Sequence, residues 1–94
     1  MKISIKNMKL VDSTPLCAFA DVILEGSFVI KNVKVIKKDT GDMFTGMPSS
    51  FDEGLGRWVD VCHPITQDLR KAIDLAVISE YTKMIANMEN NPVE

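Results

Sequence analysis

The chain has 94 residues, the size of one domain, and a domain this small buries only about 60–65% of the surface that its unfolded form exposes. Its 46% hydrophobic and 26% charged residues exclude a disordered, collagen-like or mucin-like chain. The net charge of −2, from 11 basic and 13 acidic residues, lacks the basic excess that nucleic-acid-binding domains usually carry.

In chain order, Ile3, Ile5, Met8 and Leu10 interleave with Lys2, Ser4, Lys6 and Lys9 and slip phase near Asn7. This is the pattern of a half-buried strand with a bulge, and it leaves no apolar core for a signal peptide. Asp12-Ser13-Thr14-Pro15 has the chemistry of a turn. Residues 16–24 are apolar except for Asp21, and their short length and β-branched content favour a second strand. Glu25-Gly26 then makes a tight turn into a Val- and Ile-rich run, residues 28–37, interrupted at Lys31-Asn32. Lys38 to Asp42 form another turn, and Met43 opens a short strand that Pro48 stops. Residues 49–56 read as a loop with Gly54 and Gly56, and residues 57–62 as a fifth strand ended by Pro64.

The period then changes. Thr66 or Asp68 can cap a helix, and Leu69, Ile73, Val77, Tyr81, Met84 and Met88 recur at helical spacing, widened by Leu75, Ile78 and Ile85. A helix over residues 67–88 is about 30 Å long, with Asn90-Asn91-Pro92 as its stop. The expected fold is therefore α+β, an antiparallel sheet of about five strands followed by one long C-terminal helix. It forms one domain over residues 1–89 with a frayed tail at 90–94. The helix has a wider apolar surface than one small sheet covers, which implies a second protomer, by helix packing or strand pairing across a dimer axis.

Chemistry is sparse. His63 is the sole histidine, and Cys62 beside it points to the other face of an extended strand, which excludes a Cys–His dyad. His63 reads as a structural residue that bonds backbone where strand meets helix. No ligand spacing for a metal is evident, and no cofactor or small-molecule substrate is implied. Gly54-Leu55-Gly56 reads as a hairpin tip rather than a phosphate cradle. No apolar run spans a membrane, and Cys17 and Cys62 read as free thiols in a reducing cytoplasm. The lysines at 2, 6, 9, 31, 34, 37 and 38 can form a positive stripe, although charge on a wet sheet face also serves solubility. Arg70 and Lys71 fall off the Leu69/Ile73 stripe and are expected to face water. Residue types and spacing alone thus describe a binding module, not an enzyme.

The Val- and Ile-rich run at 28–36, then Met47-Pro48-Ser49, Asp60-Val61-Cys62-His63-Pro64-Ile65, Arg70 and Glu80-Tyr81, resembles the stage V sporulation protein G (SpoVG) family in order and spacing. That resemblance implies a small, dimeric bacterial regulator that binds DNA and RNA. It also implies a link to sporulation, septum formation in cell division or broader gene regulation. Arg70 matches the family's helical arginine and Lys71 follows it, so both carry over as phosphate contacts. After Met-Pro-Ser the family has Lys-Arg, where this chain has Ser50 and Phe51 followed by Asp52 and Glu53. Val59 stands where the family has an arginine, and Arg57, two places earlier on the same strand face, partly substitutes. The resulting nucleic-acid site is Arg70, Lys71, Arg57 and Lys34. The alternative is a protein-interaction module on the same fold, with Phe51 and Leu55 as its contact.

Overall fold

A computed structural model describes residues 1–90. The order is β1 (Ile3–Ser13), β2 (Leu16–Leu24), β3 (Phe28–Lys37), β4 (Met43–Gly46), β5 (Ser49–Asp52), β6 (Arg57–Asp60) and α1 (Gln67–Asn90). Strands β1 to β4 form one antiparallel sheet in sequence order, and β5 and β6 form a separate two-stranded hairpin. The α+β reading holds. The stretch expected to be a loop at 49–56 is instead β5 and a four-residue turn. Ser49 to Asp52 have no apolar alternation because that strand has no core behind it; ladder bonds to β6 form it.

Helix α1 lies on one face of the four-stranded sheet. Val22, Val33 and Val35 from the sheet, Met47 from the link after β4, and Ile73 and Val77 from the helix form the buried cluster. Burying each such side chain contributes about 1.5–3 kcal/mol. Thr45 is the one buried polar residue among those described, and its hydroxyl donates to the Asp74 carboxylate on α1. Losing that acceptor would cost about 1–3 kcal/mol. Thr66 caps the helix: its Oγ1 accepts the Leu69 N–H at 3.2 Å, while Asp68 sits in the first turn, where the helix dipole favours a carboxylate.

Two details of the helix differ from the sequence reading. Leu75 is 72% exposed, so it does not widen the core stripe. It shares the outward row with Lys71 and Ser79, four residues to either side. Arg70 is half-buried rather than fully wet, because positions 70, 73 and 77 share a side of the helix. The side chain of Met88 and the tail beyond residue 90 lie outside the described residues.

Candidate nucleic-acid interface

Alternation along each strand sends Val22, Val33, Val35 and Thr45 toward α1, so their neighbours face away from it. The helix-free face therefore carries Lys6 and Lys9 from β1, Phe19 and Asp21 from β2, Lys31 and Lys34 from β3, and Phe44 from β4. The register aligns Lys9, Phe19 and Lys34 in one cross-strand row, with Gly46 beyond Lys34.

Asp21 organises the middle of this face. The β1–β2 register slips between Lys6 and Lys9, and the β2–β3 register slips between Ala20 and Val22. The extra residue lies on β1 in the first slip and on β3 in the second, so two bulges flank Asp21 from opposite sides. The turning residues are Asn7 (φ 55°) and Asn32 (φ 61°), and asparagine is among the few side chains that tolerate this backbone region. The Asn7 side-chain amide donates to Asp21 Oδ2 at 2.9 Å, and the Asn32 N–H donates to Asp21 Oδ1 at 3.3 Å. The Asn7 bond is the largest cause holding the Asp21 carboxyl below its ordinary value; desolvation opposes it, and Asn32, Lys31 and Lys9 add to it. The interruptions at Asn7 and Asn32 were legible as bulges; their common partner was not. The signal available was the lone charge in an otherwise apolar strand.

The four residues expected to form the site are not brought to one place. Lys34 lies on the helix-free face, and its Nζ donates to the Met47 carbonyl at 3.5 Å and to Ser49 Oγ at 3.4 Å. It thereby ties down the base of the β5–β6 arm. Arg70 and Lys71 stand on the first turns of α1, which packs on the opposite face of the sheet. Arg57 is exposed on the arm and pairs in register with Asp52. With Glu53 and Asp60 nearby in sequence, the arm is acidic, whereas the helix-free sheet face is basic.

The arm is also apolar on its surface. Phe51 and Trp58 meet edge to face, with centroids 5.8 Å apart, yet Trp58 is 66% exposed and Leu55 at the tip is 59% exposed. The tip is held by the Asp52 carboxylate, which accepts the Leu55 N–H at 3.1 Å. At its base, Val61 N–H donates to the Pro48 carbonyl at 2.8 Å. Past the arm, His63 Nδ1 lies 3.1 Å from the Pro64 carbonyl, in keeping with a histidine that bonds backbone at the strand-to-helix link. Cys17 and Cys62 are both half-buried free thiols.

A four-stranded antiparallel sheet with lysines on its open face, backed by one long helix and extended by a two-stranded arm, is the α+β architecture of this chain. The SpoVG family model matches residues 1–83. A protein of Borreliella burgdorferi that carries the septation-protein name SpoVG is 34% identical over 87 residues, covering 88% of each chain. A namesake from Caldanaerobacter subterraneus is 34% identical over 91 residues, covering 96% of this chain and 98% of its own. One from Finegoldia magna is 34% identical over 97 residues, covering 99% of this chain and 88% of its own. The chain belongs to the SpoVG family.

The motif that carried the resemblance now has a physical content. Met47 fills the core, Pro48 accepts the bond that closes the arm, and Ser49 meets Lys34. Among the described residues, no helix is long and apolar enough to cross a membrane.

Proposed function

We propose that this protein is a cytoplasmic nucleic-acid-binding regulator, not an enzyme, that acts as a homodimer in septation, sporulation or related gene control. The observation that carries the reading is the concentration of Lys6, Lys9, Lys31 and Lys34 on one uncovered sheet face, in a chain whose net charge is −2. Such a face neutralises phosphates through its lysines, while Arg70 and Lys71, on α1 at the opposite side of the sheet, would contact a separate stretch of the nucleic acid. Family membership and the septation name of its relatives support the biological setting.

The test is fluorescence anisotropy with single-stranded RNA and duplex DNA at about 50 and about 200 mM salt. Binding that weakens steeply with salt is expected. Arg70→Ala/Lys71→Ala should flatten the dependence of log affinity on log salt by about 1.5, since each lost phosphate contact removes about 0.7–0.9. An unchanged slope would remove those two residues from the interface.

The second reading, a protein-interaction module, is favoured by one observation: the exposed Phe51, Trp58 and Leu55 of the arm. The two readings occupy different surfaces. The same arm serves as the contact between protomers in the proposed dimer, and absence of binding to either nucleic acid at both salts would leave the interaction module standing alone.

A further inference from the structure

We infer that the helix-free face binds an unpaired strand, with one base stacked on the Phe19 ring and the adjoining phosphates on Lys9, Lys31 and Lys34; this rests on the nucleic-acid reading above. Phe19 is half-buried and sits between Lys9 and Lys34 in the cross-strand row. Two shallow depressions meet at it. One runs toward Lys9, Asp21 and Lys31, and the other toward Lys34, Pro48 and Ser49.

Three properties of the face select a single strand over a duplex. An aromatic ring in the floor of a shallow sheet reaches the flat face of a base only if that base is unpaired. Lys9 and Lys34 flank the ring across the strands and Lys31 lines the same depression, at the reach of a backbone that passes over it. The floor is also kept open: the bulges at Asn7 and Asn32 turn those residues onto the Asp21 carboxylate, and the row ends at Gly46, which has no side chain to stand over Lys34. Asp21 is the one carboxylate on this part of the face. It is already engaged by two donors, and Lys31 and Lys9 lie near enough to favour its charged form. Phe44 shares the face, but Lys38 already lies 5.3 Å above its ring. Phe19 is therefore the uncapped aromatic.

The test compares wild type, Phe19→Leu, Phe19→Trp and Lys9→Ala/Lys31→Ala for binding to a labelled unstructured oligonucleotide and to its duplex. Phe19→Leu keeps an apolar filler and should weaken single-strand binding about tenfold without changing the salt slope, because stacking releases no counterions. Phe19→Trp should restore binding, and its added emission should be quenched by the oligonucleotide. Lys9→Ala/Lys31→Ala should instead lower the slope by about 1.4. Thermal melts of each variant, expected to match wild type within a few degrees, separate lost binding from lost folding. If wild type binds but Phe19→Leu binds equally well, or if the duplex is preferred, the stacking platform is wrong while nucleic-acid binding stands. If wild type binds neither form, both fail.

Discussion

The sheet–helix body and the β5–β6 arm use the same kinds of residue in opposite ways. In the body, Val22, Val33, Val35, Ile73 and Val77 are almost wholly removed from water, and one layer of helix on one layer of sheet accounts for the core. In the arm, Phe51, Leu55 and Trp58 remain exposed. Apart from Lys34 at its base, the arm packs against no other element among the described residues. A two-stranded hairpin alone is marginal in water. The edge-to-face aromatic pair and the Asp52-held tip keep this one formed, and its apolar surface stays exposed. Burial thus marks the part that folds the chain, and exposure marks the arm proposed above as the contact surface.

The sharpest way to break this division is to remove mass from each region in turn. Ile73→Ala empties a fully buried position and should cost about 2–5 kcal/mol, a fall of roughly 10–25 °C in Tm for a domain of this size. Trp58→Ala removes a larger side chain but one that is 66% exposed, and should cost less than about 1 kcal/mol, mostly the aromatic pair. Urea unfolding followed by circular dichroism would measure both at low protein concentration. Comparable losses would mean that the arm belongs to the same cooperative unit as the core.

The next effect is on self-association. Trp58→Ala and Leu55→Asp should each weaken the proposed dimer tenfold or more, since exposed aromatic anchors dominate interface energies. Light scattering at micromolar concentration should then report a monomer for the variants and a dimer for wild type. Wild type at monomeric mass, or variants that remain dimeric, would detach the arm from self-association.

What was legible in the sequence follows the same boundary. Strands β1 to β3 and the helix were readable because each has one face in the core, and burial imposes period two or 3.6 on the residues. Strand β5 was hidden because nothing is buried behind it: Ser49, Ser50, Phe51 and Asp52 show no alternation, and only their ladder to β6 makes them a strand. The family motifs were legible as strings, but their roles were not, since Met47 in the core and Ser49 on Lys34 are contacts across the fold. Arg70, Lys71, Arg57 and Lys34 were gathered by charge alone. They lie on the helix, the arm and the far side of the sheet, because sequence shows sign and spacing but not which face of a bulged strand points out. The Lys9–Phe19–Lys34 row depends on register, which the two bulges reset.

Those bulges provide the smallest and most local test. The Asp21 carboxyl titrates below its ordinary value of 3.8 because the Asn7 amide, joined by Asn32, Lys31 and Lys9, favours its charged form over the opposing desolvation. A depressed folded-state pKa contributes stability that is present above the unfolded pKa, and that is lost as pH falls through the folded one. The window therefore opens near pH 4 and extends downward. Asp21→Asn has no titration there, so it should be less stable than wild type at neutral pH, and the gap should narrow as pH is lowered toward 3. Taking the difference between the two proteins cancels every other carboxylate, which titrates alike in both. A gap that stays constant with pH would mean that Asp21 is held by shape rather than charge. A gap that closes would tie the bulges, and the open lysine face between them, to one ionised side chain in the middle of β2.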